Sequence, residues 1–233
     1  MITIDLNTPW CEKYRARGFR DIKGQDLAID KIRAFLRSFP KKRAVVLHGA
    51  PGIGKTSLAY AIAYELDAEI LELNASDLRD KQKIGEIVGP ASQQKSLFKK
   101  SKVILVDEVD GVSATKDRGG LGELLALIEK SAYPIIITAN DIWQSKFNLL
   151  RQKVELVLLK EVDYKVILLM LKDVCVKENC AVNEEILTSI AIKARGDIRA
   201  ALNDLQILSK MDSPELIRAV SYTHLTLPTK RIV

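Results

Sequence analysis

The stretch Gly49-Ala50-Pro51-Gly52-Ile53-Gly54-Lys55-Thr56 decides the fold. It fits the phosphate-binding pattern G-x-x-x-x-G-K-[ST], and both of its flanks suit that reading. Upstream, Ala44-Val45-Val46-Leu47 is a short apolar run, partly β-branched, of the kind that forms a buried parallel strand. Downstream, Ser57 to Leu66 holds good helix formers and neither Gly nor Pro. Strand, glycine loop and helix in that order aim backbone N–H groups and a positive helix end at an anion. The glycines let the backbone approach phosphate oxygens where a Cβ would collide. Lys55 can reach the β- and γ-phosphates, and the Thr56 hydroxyl can ligate Mg²⁺. An ordinary turn before a helix needs neither the lysine nor the threonine. The stretch reads as a nucleotide site.

A second motif lies downstream in Val103-Ile104-Leu105-Val106-Asp107-Glu108. Four apolar residues predict a buried strand, and two carboxylates stand at its C-terminal end, where ligands sit in parallel α/β sheets. Asp107 can hold a Mg²⁺ shell and Glu108 can take a proton from an attacking water. Asp110 adds a third carboxylate in a supporting place. Pro134 to Asn140 predicts another buried strand ending in an amide. Asn140 would orient the water or sense the γ-phosphate; alternatively Asn140-Asp141 is simply a turn. Glu69-Ile70-Leu71-Glu72-Leu73 and Val154 to Leu159 complete the expected strands.

Between and around them the pattern is helical. Asp26 to Phe39 puts Leu27, Ile29, Ile32, Phe35 and Leu36 on roughly one helical face, and Pro40 stops it. Trp10 and Tyr14 either close over an adenine ring or are core aromatics, and spacing favours the core. Asn74-Ala75-Ser76-Asp77 suits a helix cap, and the helix after it carries Arg79, Lys81 and Lys83. Those cations are either a solvated face or contacts to a phosphate backbone. Leu97-Phe98 is either a small core plug or a knob for a partner. Leu121 to Ile128 predicts a further helix. From Asp163 onward three helices follow, with Asp163, Asn183 and Asp197 as their N-caps. Arg199 falls in the first turn of the last, a place that also suits an ordinary surface arginine. The expected divisions are therefore 1–160, 161–212 and 213–233. Ser221 to Val233 has no period and no caps and is set aside as a non-native tail.

Composition narrows the class. A hydrophobic share of 47% with 28% charged residues is that of a folded globular chain, not of a disordered one. A net charge of +6 fits an acidic partner such as nucleic acid, and equally a merely basic surface. The three cysteines, Cys11, Cys175 and Cys180, show neither C-x-x-C spacing nor a nearby His. A disulfide framework or zinc site is not expected, and a reducing compartment is. No apolar run is long enough to span a bilayer, and Met1 to Trp10 has no secretory pattern. The expected location is cytoplasmic, near the nucleoid, or nuclear in a eukaryote.

Taken as an ordered set, these residues resemble clamp-loader subunits of the AAA+ superfamily, most closely the large subunit of archaeal-type replication factor C. The resemblance runs from about Thr8 to Lys210. It rests on Trp10-Cys11-Glu12-Lys13-Tyr14-Arg15, Gly24-Gln25, Asn74-Ala75-Ser76-Asp77, Asp107-Glu108-Val109-Asp110 and Gly196-Asp197-Ile198-Arg199. It implies a P-loop AAA+ core with a parallel sheet flanked by helices, followed by a small all-α lid. The activity implied is hydrolysis of ATP with Mg²⁺, used to open a PCNA-type sliding clamp and load it on primer–template DNA. The implied partners are clamp-loader small subunits. Gly49, Ala50, Pro51, Gly52, Ile53, Gly54, Lys55, Thr56 and Ser57 become the ATP loop, and Thr56 and Asp107 the metal ligands. Glu108 becomes the base, Asn140 and Arg199 the two sensors of the γ-phosphate, and Tyr14, Arg15 and Ile22 the adenine pocket. Arg79, Lys81, Lys83 and Arg118 become DNA contacts, and Leu97 and Phe98 clamp contacts.

Departures from the family pattern carry their own expectations. Small subunits have Ser-Arg-Cys before the last strand, an arginine finger for a neighbour's ATP. Here Gln152-Lys153-Val154 stand there, so the chain is expected to complete no neighbour's site. The family's Pro after Glu-Lys-Tyr-Arg is Ala16, and the chain is expected to stop short of the family's helical collar. Another AAA+ DNA machine, such as a branch-migration helicase or origin-licensing ATPase, shares the ATP motifs. A nucleotide-binding scaffold that never turns over is the alternative of a different class.

Overall fold

Five apolar runs pair into one wholly parallel sheet, seen in a computed structural model that describes residues 8–74, 101–111 and 120–210. The strands are β1 (Ala44–His48), β2 (Ala68–Asn74), β3 (Ser101–Asp107), β4 (Ile135–Ala139) and β5 (Glu155–Leu158), in the order β2-β3-β4-β1-β5. Register is set by adjacent pairs such as Val45↔Ile136, Val106↔Ile137 and Asn74↔Asp107. Because side chains alternate across a strand, each run feeds two cores. Val45, Leu47, Leu105 and Ile136 pack with Ile32 and Phe35 of α2 (Asp26–Ser38) and with Leu58 and Ile62 of α3 (Lys55–Glu65). Ala44, Val46, Val106 and Ile137 pack the other way, with Leu124 and Leu127 of a helix over Gly120–Lys130 and with Leu150 of a shorter helix over Asn148–Lys153. Ile32, Leu58 and Ile62 are fully buried, and each such side chain contributes roughly 1.5–3 kcal/mol.

With α1 as Trp10–Lys13, these last two helices are α4 and α5, and α6 (Tyr164–Glu178), α7 (Glu184–Ala194) and α8 (Ile198–Ser209) follow. The three predicted caps form: Asp163 accepts from Lys165 N–H at 2.8 Å, Asn183 from Glu185 N–H at 3.1 Å and Asp197 from Ala200 N–H at 2.8 Å. Each satisfies an N–H that the helix itself leaves without a partner. Leu171, Leu187, Ile190, Leu202 and Leu205 form the core of this unit.

The sequence reading placed residues 1–160 in one domain. The described chain instead divides into residues 16–161 and a helical unit that joins residues 8–15 to 162–210. The reason is bonding over a long stretch of chain. Trp10 is buried in the helical core, its backbone N–H donates to Gln206 Oε1 at 2.9 Å, and Gln206 Nε2 donates back to Thr8 C=O at 3.4 Å. Tyr14 donates to Glu178 at 2.5 Å, and Lys13 pairs with the same carboxylate at 2.6 Å. The core reading of Trp10 is the one observed. Outside the described residues lie Ala75 to Asp77, Arg79, Lys81, Lys83, Leu97, Phe98, Arg118 and the segment 213–233.

Candidate functional site

The C-terminal ends of β1, β3 and β4 are neighbours in the sheet, so the residues that follow them meet by topology alone. From β1 the chain enters the glycine loop. Gly49 has φ +144°, and a Cβ there would stand 2.6 Å from Leu159 C=O and 2.8 Å from Ile53 Cδ1. No side chain fits that place. Gly54 has open space around it but φ +97°, so there it is the backbone conformation that selects glycine. Ile53 is buried in the core.

Lys55 begins α3 and is 8% exposed. Its Nζ donates to Gly49 C=O at 2.9 Å, to Ala50 C=O at 2.7 Å and to Asn140 Oδ1 at 2.7 Å. A buried ammonium favours an incoming anion strongly, because its charge is little screened there. One residue on, Thr56 Oγ1 donates to the Asp107 carboxylate, 3.2 and 3.3 Å from its two oxygens. A hydroxyl beside a carboxylate is a hard oxygen donor pair, suited to Mg²⁺ with waters and phosphate filling the remaining positions. The loop, the lysine and this pair fit a nucleotide with its metal.

The acid end of β3 is organised by Thr138, to which the sequence reading gave no site role, and by Asp110, to which it gave a supporting place. Thr138 Oγ1 donates to Asp107 Oδ1 at 2.5 Å and accepts the Glu108 N–H at 2.9 Å. It thus holds one carboxylate while fixing the backbone of the next residue. Glu108 itself is exposed and sits at φ 51°, a left-handed conformation that costs a non-glycine residue energy. Asp110 accepts from the backbone N–H groups of Asn140, at 2.5 Å, and Asp141, at 3.2 Å. It therefore sets the direction of the β4 tip that carries the amide facing Lys55. The signal for Thr138 was present: it is the one hydroxyl in Ile135-Ile136-Ile137-Thr138-Ala139. Asp110 was legible as a supporting carboxylate, but its partners were not, because they lie about 30 residues away.

The other site candidates are placed within their own units. Ile22 is half-buried against the α2 and α3 core. Tyr14 and Arg15 belong to the helical unit, where burial and the bond to Glu178 push the Tyr14 hydroxyl well above the ordinary tyrosine range. Arg199 is exposed in the first turn of α8. Gln25 joins the core by a two-way bond to the Lys160 backbone, at 2.7 and 3.1 Å. Beside Gln152, Arg151 is committed locally: its guanidinium donates to Ile142 C=O at 2.7 Å and lies over the Trp143 ring. His48, the last residue of β1, is buried against the edge of Trp143 and is held below the usual histidine range, by burial first and then by Lys31.

Residues 45–162 match the ATPase family associated with various cellular activities (AAA), and residues 169–210 match the RCF1/5-like AAA+ ATPase lid domain. The replication factor C large subunit of Thermofilum pendens is 42% identical over 206 residues, 86% of this chain and 50% of the relative. That of Nanoarchaeum equitans is 43% identical over 210 residues, 89% and 49% of the respective chains. The chain spans about half the length of the curated relatives it matches. The Thermotoga maritima RuvB Holliday junction branch migration motor aligns with a TM-score of 0.71 over 90% of this chain and 72% of that one. At 17% identity it shows a shared fold. With its parallel sheet, phosphate loop and acid strand end inside the matched residues, the chain belongs to the AAA family of ATPases.

Proposed function

We propose that this chain binds ATP with Mg²⁺ and works as the ATPase part of a clamp-loader large subunit. In that reading small subunits complete the ring, which opens a PCNA-type sliding clamp and loads it on primer–template DNA. The observation that carries the nucleotide part is the meeting of three strand ends through Lys55–Asn140 and Thr56–Asp107. The similarity to replication factor C large subunits supports the clamp-loading part.

ATP–Mg²⁺, when bound, supplies a phosphoryl group for transfer to water. The remaining work falls to positioning and charge. Loop N–H groups and Lys55 hold phosphate oxygens, and the lysine offsets charge that grows in the transition state. Thr56 and Asp107 hold the metal, with Thr138 keeping the Asp107 carboxylate turned towards Thr56. Glu108 takes a proton from the attacking water, and its exposed side chain leaves room for one. Asn140, aimed by Asp110, orients the same water. Arg199 is the residue that the family resemblance assigns to the γ-phosphate. Hydrolysis is proposed to need partner subunits, since Gln152-Lys153-Val154 and the committed Arg151 offer no finger here.

The test is steady-state phosphate release from the full-length protein mixed with its small subunits, with and without clamp and primed DNA. Strong stimulation only when both are present is the expected result. Activity indifferent to the clamp would assign the chain to a different AAA machine, and ATP binding without turnover would make it a scaffold.

A further inference from the structure

Helix α6 ends in a geometry that pairs two cysteines. Asn179 sits in the left-handed region at φ 53°; Cys180 N–H donates to Cys175 C=O at 3.0 Å, and Asn179 N–H to Val176 C=O at 3.4 Å. These two reverse bonds make a Schellman cap, in which the residue just past the left-handed position lies against the residue five before it. That contact is usually between two apolar side chains. Here both positions are thiols.

Standard bond lengths and the 3.0 Å hydrogen bond limit the Cα separation to about 7 Å, and any bend in the bond shortens it. A disulfide spans about 4.4–6.8 Å. Cys175 is buried among the helices, and burial, followed by the neighbouring Cys180 thiol, pushes it up to about 12. Cys180 is half-exposed, so an oxidant reaches it first. Cys11, the third thiol, packs against the same core through residues 8–15 but takes no part in the cap.

We propose that Cys175 and Cys180 are a peroxide-sensitive thiol pair that closes into an intramolecular disulfide across the α6 cap. The Cys180 sulfur attacks one oxygen of hydrogen peroxide, the O–O bond breaks, and the leaving oxygen departs as water with the thiol proton. The product is a sulfenic acid on Cys180. The Cys175 sulfur then attacks the Cys180 sulfur, the S–O bond breaks, and a second water leaves with the Cys175 proton. In total two thiols lose two electrons and two hydrogens, and one peroxide becomes two waters. The pair lies beside Glu178, which holds both Tyr14 and Lys13. Bridging the cap stiffens the anchor of residues 8–15 on the helical unit. In a reducing compartment the pair stays open and responds to oxidant.

The experiment treats the folded chain with hydrogen peroxide, blocks free thiols by alkylation and maps the digest by tandem mass spectrometry. Expected are a mass loss of two hydrogens, a Cys175–Cys180 cross-link, reversal by dithiothreitol, and slower amide exchange over residues 10–14. Cys11→Ser keeps the cross-link and Cys180→Ser abolishes it. The mapping itself needs no variant, so a poorly folding mutant does not decide the outcome. A link through Cys11, or oxygen additions on Cys180 with no bridge, overturns the proposal.

Discussion

The strand ends of the core and the helix ends of the lid hold their polar groups in opposite ways. At the strand ends the partners are distant in sequence: Lys55 and Asn140 are 85 residues apart, Asp107 and Thr138 are 31. At the helix starts the acceptor lies two or three residues from its donor. Removing a partner in the core leaves a group turned away from water, whereas an uncapped N–H at the lid surface is taken up by solvent. The same bond length therefore carries different consequences.

Lys55→Ala gives the largest expected effect. Removing the ammonium from the loop lowers nucleotide affinity and turnover by about a hundredfold or more, read with a fluorescent ATP analogue and by phosphate release. Retained affinity would break the assignment of the loop as the phosphate site. Glu108→Gln comes next: binding stays, and turnover by the assembled complex falls by roughly a hundredfold or more. Normal turnover in that variant removes Glu108 as the base.

Thr138→Val sharpens the contrast directly. It preserves shape, takes a donor from Asp107 and an acceptor from Glu108 N–H, and destabilises the core by about 1–3 kcal/mol. Asp163→Ala on the lid costs about 1 kcal/mol or less, seen as faster amide exchange in the first turn of α6 with binding unchanged. If the cap proves dearer than the threonine, the comparison fails.

Acid offers the smallest and most selective test. His48 is depressed by burial and then by Lys31; for Glu178, burial acts upward but the Lys13 ion pair and the Tyr14 hydrogen bond outweigh it. Both groups have folded pKa values below their unfolded ones. Each therefore contributes stability that is complete above the unfolded value and lost as pH falls towards the folded one. For His48 that loss begins below 6.5, and for Glu178 below 4.5. Thermal melts against pH should lose the upper limb in His48→Gln and the lower limb in Glu178→Gln. Interchanged limbs would refute the assignment.

The unequal legibility of the two regions has the same origin. Gly49 to Thr56 and the Asp107-Glu108 strand end could be read directly, since each motif is a local string whose spacing carries its chemistry. The caps at Asp163, Asn183 and Asp197 were readable for the same reason. Thr138 was missed as an organiser, and Asp110 was given a supporting place without its partners, because those partners are set by strand order. The DNA and clamp candidates, Arg79, Lys81, Lys83, Arg118, Leu97 and Phe98, lie outside the described residues and stay as expectations from resemblance.

By itself, then, the amino-acid sequence determined which runs become strands and helices, where helices start, and that a phosphate loop and an acid strand end exist. Those properties follow from side-chain periodicity and bonds spanning a few residues. Only the tertiary structure decided that Thr138 bridges two acids, that Asp110 aims Asn140, and that residues 8–15 belong to the lid. Each of these joins residues from 30 to 196 apart. No local pattern encodes such a meeting, because it exists only once the sheet order and the helix packing have brought the segments together.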